Sequence, residues 1–266
     1  MIMIPTDPRQ ISILERIENE GSVSVSQLAE ALNVSEITIR RELAILADAG
    51  FIKRIHGGAV SLRGRSVVKP FYLRSQQNKA AKQAIGRYAA EMILDGDSVA
   101  LDVGTTALEI ATNLVNRRNL TILTASFHIA AKLINIPDIR VILPGGVLKQ
   151  TEGALTGEMA VETLQKYYVD RFFLGVGAID SHVGLTEQSL EDTQVKRILI
   201  ENSKERILVA DSSKFEQVAF AFIAKLDAIK QFITDQRPPD PLYDALKRIG
   251  VIIHIVSSSD GKAEIL

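Results

Sequence analysis

The chain has 266 residues and a net charge of −1, with 46% hydrophobic and 24% charged residues, 17 Gly and 8 Pro. At ~150 residues per domain this suggests about two domains, large enough to bury a core without disulfide or metal staples. The lack of cysteine excludes disulfide frameworks, thiolate metal sites and thiol catalysis, and it suits a reducing cytoplasm. Four scattered histidines (His56, His128, His182, His254) form no metal-ligand pair, so neither metal nor cofactor is expected. The longest apolar run, 172–179, is far short of the ~20 residues that span a bilayer. The first ten residues lack the basic and apolar regions of a signal peptide, so a soluble cytoplasmic protein is expected.

In chain order, Asp7-Pro8 is a helix cap followed by proline at the first helical position. Ile11, Leu14 and Ile17 then recur at helical spacing up to a stop at Gly21. A short helix covers 25–32, and Asn33-Val34 makes a turn. Ser35, with Thr38 in the next turn, caps a third helix that runs to about residue 49, before Gly50. Two short strands around the His56-Gly57-Gly58 turn complete a domain at 5–62, with a helix-turn-helix at about 25–49. Residues 63–78 carry no amphipathic period and are predicted to be a basic linker. From 79 to 258, strands at 98–102, 120–124, 139–143, 171–175, 207–210, 232–234 and 251–256 alternate with helices. The helices are predicted at 79–94, 107–116, 127–135, 158–166, 190–203 and 241–249. Runs such as SVALD and ILVAD are apolar on both faces, as strands covered by helices on both sides should be. The expected fold of this second domain is α/β, an open and mostly parallel sheet.

From residue 49 to residue 90 there is no Asp or Glu, while Lys53, Arg54, Arg63, Arg65, Lys69, Arg74, Lys79, Lys82 and Arg87 fall in that stretch. Such a run is either a solvated linker or an electropositive segment close to phosphates. On the third helix Ile39, Leu43 and Leu46 share one side and must pack inward. The opposite side carries Ile37, Arg40, Arg41 and Ala44, with Thr38 flanking. An apolar side chain beside two arginines suits a major groove, where it meets a thymine methyl while arginine reaches guanine or phosphate. The alternative is the solvated face of a small helical bundle. Lys53, Arg54 and His56 would lie along the phosphates as a wing, although His56 could be a plain loop histidine. The predicted DNA-binding set is Ser35, Ile37, Thr38, Arg40, Arg41, Lys53, Arg54 and His56, with double-stranded operator DNA as the partner.

The run Val34-Ser35-Glu36-Ile37-Thr38-Ile39-Arg40-Arg41-Glu42-Leu43, followed by Ile55-His56-Gly57-Gly58-Ala59, resembles the N-terminal signature of DeoR-family bacterial repressors. The likeness extends over essentially the whole chain. It implies a winged helix-turn-helix fused to an effector domain related to the ribose-5-phosphate isomerase fold. It also implies a homo-oligomeric regulator of a sugar-catabolic operon that responds to a phosphorylated sugar.

In the second domain, a predicted strand runs through Asp102 into Val103-Gly104-Thr105-Thr106 and then a helix. Glycine lets the backbone approach an anion, the helix start offers free N–H groups, and the hydroxyls add donors. Thr105-Thr106 is equally an ordinary helix start by pattern alone; the resemblance favours phosphate, with Asp102 accepting a sugar hydroxyl. Ser126 is either a helix cap or a ligand donor, and Pro144-Gly145-Gly146 bends the chain sharply. Asp211-Ser212-Ser213-Lys214 ends a later strand and is similar to a run that lines the isomerase substrate site, which makes Lys214 the candidate cation. Counted back from it without gaps, the isomerases' catalytic glutamate falls on or beside Lys196. A lysine cannot serve as that base, although it could meet an anionic ligand or lie on the surface, and Glu187 and Glu191 are nearby. The predicted effector set is Asp102, Gly104, Thr105, Thr106, Ser126, Lys196 and Lys214. No GxGxxG or GxxxxGK[ST] is present, which disfavours dinucleotides and Walker-type nucleotide binding. The expected function is a sugar-phosphate-controlled repressor of a carbohydrate operon and not an enzyme; a phosphosugar isomerase with a helical extension is the alternative.

Overall fold

The computed structural model describes residues 7–62, 64–257 and 263–266, without the side chain of Asn19. The expected domain limits at residues 5 and 258, and Arg63 of the basic run, lie outside the described residues. The chain divides into two compact units, Met1–Arg74 and Ser75–Leu266.

The first unit contains α1 (Pro8–Glu20), β1 (Ser22–Ser24), α2 (Val25–Leu32), α3 (Glu36–Asp48), β2 (Ile52–Ile55) and β3 (Gly58–Ser61). Each helix start is chemically specified. Asp7 accepts from the Arg9 N–H ahead of α1 (2.8 Å), and Ser35 accepts from the Thr38 N–H ahead of α3 (3.2 Å). Ser24 and Gln27 close a reciprocal capping box on α2. Asn33, in the left-handed region at φ 51°, makes the tight turn into α3. Ile39, Leu43 and Leu46 point inward as expected. On α1 the buried stripe is Gln10, Ile13, Leu14 and Ile17, so Ile13 takes the place expected for Ile11. Gln10 is tolerated there because its amide donates to Glu42 (2.8 Å).

β2 and β3 form the expected hairpin, and β1 adds a third antiparallel strand in the order β1-β3-β2. Gly58 permits this: a side chain there would run into the Val23 carbonyl oxygen at 2.1 Å. Such a pairing is invisible in the sequence, because three residues of strand show no alternation.

The expected linker is not structureless. It contains α4 (Phe71–Gln76), with Phe71 and Leu73 buried, and Leu73 packs in the core of the first unit. A six-residue helix is too short to display a period of 3.6.

The second unit runs α5 (Lys79–Glu91), β4 (Ser98–Leu101), α6 (Thr105–Thr112), β5 (Leu120–Leu123), α7 (Phe127–Leu133), β6 (Ile139–Ile142), β7 (Val147–Lys149), β8 (Ala154–Thr156), α8 (Glu158–Leu164) and β9 (Val169–Leu174). It continues with β10 (Ala178–Asp180), β11 (Gly184–Glu187), α9 (Leu190–Glu201), β12 (Ser203–Val209), β13 (Ala221–Ala224), β14 (Gln231–Thr234), α10 (Asp240–Arg248), β15 (Ile252–Val256) and β16 (Ala263–Ile265). The main sheet has the order β16-β15-β14-β12-β9-β4-β5-β6 and is parallel except for β16.

Alternate strand residues feed two cores. Phe172 and Leu208 pack with α8, α9 and α10, whereas Phe173 and Ile207 pack with α5, α6 and α7. This is why the strands read as continuous apolar runs. All seven predicted strands of this unit are present. The β7–β8 hairpin, the separate antiparallel sheet β10-β11-β13 and the edge strand β16 were not expected. Each of these extra strands is only three or four residues long and is defined by its partner.

Leu43→Ala removes a side chain sealed between α3 and the rest of the first core. It should cost that unit ~2–5 kcal/mol, read as a lower urea midpoint of its unfolding transition. A loss below ~0.5 kcal/mol would mean that this face of α3 is not packed.

Candidate functional site

In the first unit the outward side of α3 starts immediately after the capped turn. Ile37 is 63% exposed there, flanked by exposed Arg40 and Arg41. The two arginines differ. The Arg40 guanidinium is held by Glu36 one turn earlier (2.6 Å), whereas Arg41 has no hydrogen bond or ion pair among the described residues. The Ser35 hydroxyl is engaged with the Thr38 backbone and hydroxyl (3.2 and 2.9 Å), so both shape the start of the helix. Lys53, Arg54 and His56 are exposed on the β2–β3 hairpin.

The acid-free run is not one basic face. Lys69 pairs with Glu18 (2.6 Å), Arg74 donates to the Lys69 carbonyl (3.0 Å), and Lys82 is buried near Asp211 (3.8 Å). The partners Glu18 and Asp211 are distant in sequence, so a local charge count cannot see them.

In the second unit the chain lays down β4, β5 and β6 in one direction, then returns to place β9 on the other side of β4. At such a reversal the connections after the two strands diverge and leave a crevice at their carboxyl ends. β4 leads there into Asp102-Val103-Gly104 and the first turn of α6. β9 leads into Gly175.

Three features of the α6 side suit an anion. No side chain caps the helix, so the first N–H groups keep no side-chain acceptor at the positive end of the helix dipole. The Thr105 and Thr106 hydroxyls have no partner among the described residues. A side chain on Gly104 would meet no atom within 4 Å, so open space lies beside its backbone.

Asp102 and Lys196 face inward. The Lys196 ammonium donates to Asp102 and to the Gly175 carbonyl (3.0 Å), and it lies 3.3 Å from Glu187. The Gly175 N–H also donates to Asp102 (2.8 Å). Burial alone would push the Lys196 pKa down, but Asp102 and Glu187 more than offset this and hold it above the usual lysine value. Lys196 is therefore an internal cation, 2% exposed, and not a surface residue. Its partner Asp102, expected to accept a sugar hydroxyl, is equally buried and ties the end of β4 to the end of β9.

Ser126 is fully buried and accepts from the Ile129 N–H at the start of α7 (3.3 Å), so the structure supports the cap. Lys214 lies half-buried at the end of a 3₁₀ turn, Ser212–Lys214, after β12; β9 alone separates that strand from β4. Among the described residues no group of His, Cys, Asp and Glu could hold a metal ion, and no helix is long and apolar enough to cross a membrane.

A second charged cluster joins the end of β7 to the start of α9. Lys149 contacts Glu152 (2.8 Å), the Ser189 hydroxyl (3.0 Å), Asp192 (3.8 Å) and Glu191 (3.9 Å). Burial and then the neighbouring Glu152 charge push the Asp192 carboxyl up to about 7, against Lys149 and Lys196, with Glu187 adding to the rise.

An arginine-bearing recognition helix in one unit and an uncapped helix at a sheet reversal in the other define a DNA-binding regulator with a sensing domain. Comparison with known proteins gives the same class. The DeoR-like helix-turn-helix domain model matches residues 9–64, and the DeoR C terminal sensor domain model matches 77–236. The chain is similar to the glycerol-3-phosphate regulon repressor of Escherichia coli, with 36% identity over 87% of this chain and 91% of that protein. It is similar to the transcriptional repressor AccR of Agrobacterium fabrum, with 35% identity over 88% and 92%. It is also similar to the HTH-type transcriptional repressor GlcR of Bacillus subtilis, with 34% identity over 96% and 98%. Among solved structures, ribose 5-phosphate isomerase A from Methanocaldococcus jannaschii aligns with 52% of this chain and 55% of its own, at 21% identity and a TM-score of 0.39. The chain belongs to the DeoR family.

The raised Asp192 carboxyl has a stability consequence. The unfolded carboxyl ionises near ~3.9, while the native one keeps its proton up to about 7, so the native state binds more protons in that window. Stability from this group therefore falls as pH rises from ~4 to ~7. Asp192→Asn should flatten that fall and melt above the parent at about pH 8 but not at about pH 5. Equal melting temperatures at both would show that Asp192 is already ionised in the native cluster.

Proposed function

We propose that this chain is a transcriptional repressor of a carbohydrate-use operon. It binds operator DNA through α3 and the β2–β3 wing, and a phosphorylated sugar bound at the carboxyl edge of the second unit releases it. The observation that carries the DNA half is Ile37. An apolar side chain left exposed one turn before two arginines at the start of a capped helix is costly in water and useful against a thymine methyl. Arg41 is free to reach a base edge, and Lys53, Arg54 and His56 would hold register along phosphates. Arg40 reaches DNA with Glu36 attached or after leaving it. The protein acts as a homo-oligomer in the cytoplasm, since helix-turn-helix proteins read paired half-sites as dimers.

For the effector, the phosphate lies on Gly104-Thr105-Thr106 with Lys214 near it. The sugar extends toward the Asp102–Lys196–Glu187 cluster. This chain is a sensor and not an isomerase: a lysine, Lys196, stands at the place expected for the catalytic carboxylate, and it holds both Asp102 and Glu187 in ion pairs.

The test is DNA binding to the intergenic region upstream of the protein's own gene, with and without sugar phosphates. Arg41→Ala should weaken operator binding by ~1–3 kcal/mol while leaving thermal unfolding unchanged. An equal affinity for parent and variant would remove Arg41 from the interface. The parent should lose ~5–150-fold of its operator affinity on saturation with the effective sugar phosphate. Thr105→Ala combined with Thr106→Ala should bind operator like the parent yet fail to release it. A double variant that still releases would place the phosphate elsewhere.

A further inference from the structure

We propose that Asn78 and Lys82, acting through the carboxylate of Asp211, are the residues by which the Lys214 loop controls the segment leading to the DNA-binding unit. The proposal rests on the effector reading above. Asp211 lies at the carboxyl end of β12 and is 1% exposed. Its Oδ1 accepts from the Ser213 N–H (3.1 Å), from the Ser213 hydroxyl and from the Asn78 side-chain amide (2.8 Å). Its Oδ2 faces the buried Lys82 ammonium (3.8 Å), which also donates to the Gln77 carbonyl (2.5 Å). One buried carboxylate therefore caps the turn that carries Lys214 and fastens the first turn of α5.

The two tasks cannot be separated cheaply. A buried carboxylate loses stability whenever a donor leaves it unreplaced, so a shift of Ser213 that follows a ligand on Lys214 must be shared with Asn78 or Lys82. The chain beyond them is short and ordered. Only Gln77 and Asn78 lie between α4 and α5, and Leu73 of α4, five residues before Asn78, is packed in the core of the first unit. Asn78 also holds a left-handed backbone (φ 51°), which fixes the direction in which α5 begins.

Asn78→Gly is the discriminating variant. Glycine adopts the same backbone at no steric cost, so the substitution removes the Asp211 contact without straining the turn. Binding of the upstream intergenic DNA would be titrated in the presence of glycerol 3-phosphate, fructose 6-phosphate and ribose 5-phosphate, for the parent and for N78G. The expected result is near-parental affinity of N78G for DNA alone and for the sugar phosphate alone. The ratio of DNA affinities with and without the probe should fall severalfold below the parent's ~5–150-fold, with the Lys82 contact to Asp211 still in place. A responsive parent with an equally responsive N78G overturns the Asp211 joint and leaves the effector site standing. A parent that responds to none of the three probes overturns the effector reading and the joint with it.

A measurement on the parent covers failure of the variant to fold. The effective probe should change hydrogen exchange at the backbone amides of residues 78–83 as well as at 104–106. A change confined to 104–106 overturns the proposal.

Discussion

Lys196 sits inside the second unit with its ammonium against Asp102, Glu187 and the Gly175 carbonyl, and the carboxyl ends of β4 and β9 are organised around that neutralisation. An unpaired ammonium at this depth would cost several kcal/mol, so the two carboxylates and the carbonyl have to converge on it. Their convergence joins the end of β4 to the end of β9 where the sheet reverses. Once Asp102 is anchored, Gly104 and the first turn of α6 are placed at the same edge. The arrangement separates two jobs. Charge that must stay balanced is held inside by Lys196, while the start of α6 keeps no side-chain cap and the Thr105 and Thr106 hydroxyls have no partner among the described residues.

The first unit solves a different problem with local means. Asp7, Ser24 and Ser35 each satisfy helix N–H groups that would otherwise be unpaired, so the starts of the three helices are set by residues next to them in the chain. The buried stripe Ile39, Leu43 and Leu46 then leaves α3 only one way to face. Ile37 and Arg41 point outward because the other side is spent on the core. The acid-free stretch itself divides. Lys53 and Arg54 remain exposed, whereas Lys69 and Lys82 are absorbed by Glu18 and Asp211, so the segment combines surface for an anionic partner with anchors for its own ends.

The sequence by itself determined the features that depend on near neighbours. Capping residues, the 3.6-residue period of α3, the glycine stops and the doubly apolar strands all act over a few residues, and each corresponding element is present. Ser126 as a helix cap and Ser35 with Thr38 at the start of α3 belong to the same class. Tertiary structure alone decided what depends on residues far apart in the chain. Strands as short as Ser22–Ser24 or Ala178–Asp180 exist only because a partner passes beside them. Lys196 stands 94 positions from Asp102, and Asn78 stands 133 from Asp211. No periodicity or motif links residues at such separations, because the forces that pair them are short-ranged in space and indifferent to distance along the chain.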